Sequence, residues 1–349
     1  MFIRRTCFIL FATFAFCYVY CYQADVLAYL QQTLSDGQTR YERTTGAVVI
    51  TVVLLLLQRI VYGITRLKSF SHALTYFPSA LTLAVLTDVN ADGRLSETWV
   101  WVAPLLLIAF VFLVLKSKSA ELFNVVNAGR GLFSCAVWNN LFTILLLFLF
   151  VILCSNTDSV FHNRLKMERL LVKGRYEEAA RVGEREHETD SSLTMLRVYA
   201  LARTGTVGDR LFSYPLVGDG RILLPNDSTT RTLTMHEKII TAFSRKKGKR
   251  DYRLIKSLLN RDLDTFVRDL SREGNVDSLH LPKHYREALV IYTHTKSSRL
   301  LSYHDDVLDA DYEDFRKTEK KYPDGTLRAN AIRDVYGNTY WCYYEGYAK

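Results

Sequence analysis

The uneven placement of apolar runs constrains this chain more than any other feature. Residues 1–154 contain stretches such as "TGAVVITVVLLLLQRIVYGI" (45–64) and "AVWNNLFTILLLFLFVILC" (136–154). Residues 155–349 contain none of comparable length, yet carry 34 of the 45 Lys and Arg and 29 of the 36 Asp and Glu. A hydrocarbon core about 30 Å thick takes roughly 20 apolar residues in a helix. Only a helix satisfies its own backbone groups there without a neighbouring strand. Five spans are expected, at 7–22, 45–64, 72–89, 98–115 and 136–154. The third is the weakest, since it holds Pro78 and several hydroxyls. Residues 155–349 are long enough to bury a core of their own.

Lys and Arg in short loops set sidedness. With the N-terminus inside, Arg4, Arg5, Arg59, Arg66, Lys68, Lys116, Lys118 and Arg130 lie on the cytoplasmic side, against Arg40, Arg43 and Arg94 outside. An odd number of spans then places residues 155–349 outside. A cleaved first segment would not change that, and "CYQA" lacks an A-x-A-like cleavage site. If 72–89 does not cross, the second domain moves to the cytoplasm, against the loop charges. Cys7, Cys17, Cys21, Cys135 and Cys154 lie in or beside apolar segments, leaving only Cys342 in the polar part, so no disulfide framework is expected there. The net charge of +9 is spread over both parts rather than gathered in a tail, which argues against nucleic acid as a partner. The expected surroundings are a lipid bilayer and a protein partner.

"DVNADGRLSETW" (88–99) follows the calcium-loop pattern of an EF-hand for most of its length. Asp88, Asn90, Asp92 and Ser96 take the side-chain ligand positions, Arg94 the carbonyl position and Gly93 the turn. At position 12, where a bidentate Glu is required, stands Trp99. Two readings stay open: weak calcium binding between two spans, or a polar turn built from good turn formers. No other cofactor is expected.

The polar part reads as short amphipathic helices with little strand alternation, so the whole chain is expected to be all-α. Within "LLVKGRYEEAARVG" (170–183), Gly174, Tyr176 and Ala179 resemble the turn and second helix of a tetratricopeptide repeat. Gly205 follows 31 residues later, near the repeat's period of about 34. Tyr176 and Tyr199 are candidate partner-binding residues. So are Arg245, Lys246 and Lys247 in "SRKKGKRDYRLIK" (244–256), which holds seven basic residues and would meet anionic headgroups or an acidic partner. Solvated loop is the alternative for that run. The terminal "VYGNTYWCYYEGY" either docks the last helix or lies at a membrane interface.

Catalytic patterns are absent. His236-Glu237 begins a zinc-protease motif, but Ile240 occupies the second His position. There is no P-loop and no G-x-S-x-G. The stretches "GRYEEAARVGEREHETDSSLTMLRVYALARTG", "DRLFSYP", "LPKHYREALVIYTHT" and "YGNTYWCYY" resemble one family of uncharacterised multi-pass membrane proteins of Bacteroides-type bacteria, a domain of unknown function. The resemblance implies an inner-membrane location and supplies no catalytic residues. The function these readings favour is a membrane scaffold or assembly protein that binds a protein or peptide through an outward helical domain. The rivals are a cell-envelope enzyme acting on glycan or lipid and a calcium-responsive membrane protein.

Overall fold

The computed structural model describes residues 2–67, 70–124, 134–184, 186, 188–230, 233–272, 280–296 and 300–347. Lys68 and Arg130, counted above for sidedness, lie outside them. The described chain is all-helical, with no β-strand beyond a single bridge between Val89 and Leu95. It forms two units, Met1–Asp158 and Ser159–Lys349.

In the first unit, α1 (Phe2–Cys17) continues through a π-helical turn, Tyr18–Tyr22. Then come α2 (Ala24–Leu34), α3 (Arg43–Thr65), α4 (Phe77–Thr87), α5 (Trp99–Asn124) and α6 (Cys135–Cys154). Among the described residues, four helices are long and apolar enough to cross a membrane: Phe2–Tyr22, Arg43–Thr65, Trp99–Ser119 and Cys135–Cys154. The expected span 72–89 is built differently. A 3-10 turn, His72–Tyr76, leads into α4, which has 11 residues. Pro78 sits in the first turn of α4, where its missing N–H costs nothing. It starts the helix rather than interrupting it.

Side-chain pairs fix the directions of these segments. Phe14 stacks on Phe148 at 3.9 Å and the Tyr18 hydroxyl meets Ser155 Oγ, so α1 and α6 are parallel. Ser79 Oγ donates to Leu54 O at 2.7 Å and Gln58 Nε2 donates to Thr75 Oγ1 at 2.9 Å, so α3 and α4 are antiparallel. The Ala73 N–H donates to Asn140 Oδ1 at 2.6 Å, and the Asn156 N–H donates to Thr87 O at 3.2 Å. Residues 73–87 therefore run level with 140–156. Phe77 stacks on Phe110 at 5.4 Å and Trp99 Nε1 donates to Asp88 Oδ2 at 2.8 Å, which makes α5 antiparallel to α4. One end of the unit thus gathers Arg4, Tyr62, His72 and Asn140. The other gathers Tyr20, Arg43, Thr87, Trp99 and Ser155. α4 lies inside the unit, with Ala80, Leu83 and Ala84 fully buried. By contrast, α5 turns Trp101, Leu105, Ile108 and Phe112 outward.

The second unit contains α7 (Ser159–Val172), α8 (Tyr176–Ala180), α9 (Ser191–Thr204), α10 (Val207–Arg210), α11 (Asp227–Thr230) and α12 (Glu237–Arg245). It continues with α13 (Lys249–Leu259), α14 (Leu263–Ser271), α15 (Lys283–Thr295), α16 (Asp306–Lys321), α17 (Gly325–Tyr336) and α18 (Tyr340–Tyr344). Asp190, Asp262, Asp305 and Asp324 cap helix starts by accepting backbone N–H bonds, the role short acidic side chains take at N-caps. Helices α7, α9 and α13 are among those that end on a left-handed residue. At Gly174 (φ 72°) the Arg175 N–H reaches Leu170 O at 2.9 Å, and at Gly205 (φ 73°) the Thr206 N–H reaches Leu201 O at 2.9 Å. At Arg261 (φ 58°) the Asp262 N–H reaches Ser257 O at 2.9 Å. This is the Schellman closure, which satisfies last-turn carbonyls.

The hairpin expected at Leu170–Gly183 forms, but its second arm, α8, has five residues. After it the chain turns, with the Val182 N–H on Ala179 O at 3.2 Å and Gly183 at φ 68°. The core of the unit is aromatic at its C-terminal side. Tyr340, Trp341, Cys342 and Tyr343 are all buried. The Tyr340 and Tyr343 hydroxyls donate to Leu258 O at 3.0 Å and Leu259 O at 2.9 Å, covering the open carbonyls of α13. The terminal aromatics therefore dock the last helix.

Candidate functional site

The expected partner-binding residues fall on two neighbouring parts of the second unit, joined by residues that sequence reading missed. Tyr176 begins α8 and Tyr199 lies on α9, with ring centroids 6.4 Å apart and edge to face. Tyr199 is 2% exposed, so it supports the surface from below and is not itself a contact residue. Burial pushes its hydroxyl above the ordinary tyrosine range. Four residues on, one helical turn later, exposed Arg203 lays its guanidinium over Tyr176 at 4.4 Å and over Phe243 at 5.1 Å. Its Nη2 donates to the Tyr176 hydroxyl at 2.7 Å. Phe243 in turn packs edge-on against Tyr199 at 5.5 Å.

Phe243 connects this stack to the basic run. The chain leaves α12 at Arg245 and turns through Lys246 and Lys247, and the Gly248 N–H returns to Phe243 O at 2.8 Å. A Cβ at position 248 would fall 2.7 Å from the Phe243 ring, so glycine is required for this approach. Arg245, Lys246 and Lys247 are exposed. Among the described residues neither they nor Arg203 makes an ion pair. The surface is thus an arginine held flat by three aromatic rings, beside three free cations. Such a face suits carboxylates approaching with apolar or aromatic neighbours. Arg203 was legible in principle, since it sits at i+4 from Tyr199. Phe243 was not, because nothing local shows which helix its ring will meet.

The loop at 88–99 forms a tight hairpin. The Asn90 N–H donates to Arg94 O at 2.8 Å, Gly93 takes φ 74°, and the Ser96 N–H donates to Asp88 O at 3.1 Å. Trp99, standing where the pattern needs Glu, bonds the Asp88 carboxylate through its indole N–H. Two further carbonyls of the loop are occupied, Ala91 O by the Tyr29 hydroxyl at 2.7 Å and Val89 O by Asn156 Nδ2 at 2.6 Å. Asp88, Asn90, Asp92 and Ser96 are therefore in one loop, but the Asp88 carboxylate and the Arg94 carbonyl already have intramolecular partners. Among the described residues no three His, Cys, Asp or Glu side chains gather as a metal cluster.

Of the histidines in the second unit, His294 and His304 both meet Asp309, at 3.0 and 3.6 Å. His280 is exposed. His284 is fully buried and its Nδ1 pairs with Glu287 Oε2 at 2.9 Å, an oxygen that also accepts the Tyr340 N–H at 2.7 Å. Trp341 Nε1 donates to Glu287 O at 3.0 Å. This network ties α15 to α18. Asp305 caps α16, and Asp309 faces His294 Nε2 at 3.0 Å. Two more buried charges brace the unit. Glu168 Oε2 accepts from the Thr234 and Met235 N–H groups at 2.6 and 2.9 Å, and burial holds its carboxyl above the usual range. Arg197 reaches Val182 O at 2.8 Å and stacks over Tyr214, and burial pushes its guanidinium down to about 10.

A model of a family of unknown function (DUF6057) matches residues 226–346, which include the basic run and the docked terminal aromatics. No curated protein matches the chain, and no solved structure matches it. The chain is similar to that family over its C-terminal part, from the residue before α11 to the residue after Glu345.

Proposed function

We propose that the chain is a multi-pass membrane protein that binds an acidic protein segment through its helical domain, as a scaffold or assembly factor rather than an enzyme. The observation that carries this reading is the exposed face formed by Tyr176, Arg203, Phe243 and Arg245–Lys247, whose cations have no carboxylate partner among the described residues. A segment rich in Asp or Glu with interspersed aromatics complements it in charge and in stacking.

The proposed topology has five crossings, with the N-terminus in the cytoplasm and the helical domain outside, in an inner (plasma) membrane. It is supported by the level pairing of residues 73–87 with 140–156, since the short α4 and its preceding turn cover the height of the long α6. Charge distribution supports it as well. Arg4, Arg5, Arg59, Arg66, Lys116 and Lys118 lie toward one end of the unit, whereas Asp25, Asp36, Glu42, Asp88, Asp92 and Glu97 lie toward the other.

The test of binding uses the full chain in detergent and a fluorescent peptide alternating Glu with Phe. Binding should weaken steeply with salt and fall about tenfold or more on combined Arg245→Glu and Lys247→Glu substitution. Equal binding of a Lys-for-Glu control peptide would sink the reading. A reporter fused after Lys349 tests sidedness, and cytoplasmic signal from it would overturn the five-crossing topology.

A further inference from the structure

The end of the membrane unit that gathers Arg4 and His72 has a chemistry its fold does not use. Tyr62, near the end of α3, receives the Arg4 guanidinium over its ring at 4.9 Å and meets the His72 imidazole edge-on at 5.2 Å. His72 is 3% exposed and its Nδ1 has no hydrogen-bond partner. A buried ring nitrogen without a partner costs free energy, so its retention calls for an explanation. Arg59 lies three residues before Tyr62 on α3, and so on the same flank of that helix. Both arginines are exposed, and neither makes an ion pair among the described residues. Asp25, Asp36, Glu42, Asp88, Asp92 and Glu97 lie toward the opposite end of the unit.

The surroundings of this pair are apolar and open. Phe8 and Ile9 on α1, with Leu56 and Ile60 on α3, are 48%, 61%, 59% and 60% exposed. A ligand suited to the place has an anionic head and a long apolar body. Free phosphate supplies only the first of these.

We infer that Arg4 and Arg59 clamp the phosphate of an anionic lipid between α1 and α3, with its acyl chains along the exposed Phe8, Ile9, Leu56 and Ile60 face. The guanidinium of Arg4 is held by the Tyr62 ring, which reduces the freedom lost on binding. Arginine rather than lysine suits the role, because its planar fork matches two phosphate oxygens at once. His72, buried behind the clamp, meets the Tyr62 ring edge-on and braces it. The inference stands independently of partner binding by the second unit.

The experiment is native mass spectrometry of the full chain in detergent with added phosphatidylglycerol or phosphatidylcholine. The expected result is retained phosphatidylglycerol adducts that weaken about tenfold or more in the Arg4→Gln/Arg59→Gln variant. An Arg5→Gln/Arg66→Gln variant loses the same charge at the same end and should keep the adducts. Arg59→Lys keeps charge and membrane anchoring, so a weakened adduct there reports fork geometry even if the double variant unfolds. Equal retention of phosphatidylcholine, or equal loss in the two double variants, overturns the clamp in favour of diffuse charge. Displacement of the lipid by inorganic phosphate alone overturns the lipid assignment.

Discussion

The two units bury their polar groups in opposite ways. In Met1–Asp158 the exterior is apolar, and several buried polar side chains bind backbone, beside the side-chain pairs Gln58–Thr75 and Tyr18–Ser155. Asn140 accepts from Ala73 N and donates to Phe70 O and Ala136 O, Ser79 donates to Leu54 O, and Asn156 donates to Val89 O. In Ser159–Lys349 the exterior is charged, and the core contains whole ionic groups: Glu168, Arg197 and the His284–Glu287 pair. The difference follows from what each unit has to stabilise. Irregular backbone at 70–76, packed among long apolar helices, must have its carbonyls and N–H groups met by neighbouring helices. A water-facing unit obtains its driving force from burying aromatics, and it can tolerate buried ions that tie short helices together.

If that contrast is right, the two units should fail separately. The largest effect is expected for Trp341→Ala, which empties the aromatic core beside α15 and should cost about 3–5 kcal/mol. Hydrogen exchange should then rise across 159–349 and leave 2–158 unchanged, and a rise in both units would break the comparison. Asn140→Ala removes backbone bonds to Phe70 and Ala73 before α4 and one to Ala136 in its own helix, and should cost about 1–2 kcal/mol. Its exchange signature should be confined to 70–87, and a loss spread over the second unit would contradict the assignment.

Smaller effects sharpen the contrast inside the second unit. Gly205→Ala places a side chain at φ 73° with nothing within 4 Å, so only backbone strain opposes it, about 1 kcal/mol by urea unfolding. Glu168 supplies a pH dependence. Its folded-state pKa is raised, so its contribution to stability is fully present below the unfolded carboxyl pKa and is lost as pH rises through the folded value. Acidifying from neutrality should therefore relieve a penalty that Glu168→Gln, which keeps an acceptor oxygen, no longer shows. Identical pH profiles of melting temperature for the two proteins would refute that role. Smallest of all, Lys246→Glu on the exposed turn should shift stability by under about 0.5 kcal/mol while changing peptide binding.

Much of this was legible from local chemistry. The apolar runs mark four long helices, and Asp190 and Asp305 stand where caps belong. Gly174 and Gly205 sit at the turns their φ values require. The terminal tyrosines were readable as dockers, because so many aromatics seldom stay in water. Other features depend on partners distant in sequence. Tyr199 is one of several aromatic residues on amphipathic helices, and only packing against Phe243 and Arg203 turns it from contact into support. Trp99 marks a missing ligand in the calcium pattern, whereas its bond to Asp88 shows what the loop does instead.

Hydropathy, caps and glycines act within a few residues, and they suffice to determine that this chain is all-α and where its long apolar helices lie. The tertiary structure decided that Phe70–Thr87, which covers most of the weakest of the expected spans, runs level with α6 because Asn139, Asn140 and Asn156 hold its two ends. It also decided that Arg203, rather than Tyr199, forms the face beside the basic turn. Both depend on contacts across tens of residues, where the chain must close before any local preference can be expressed.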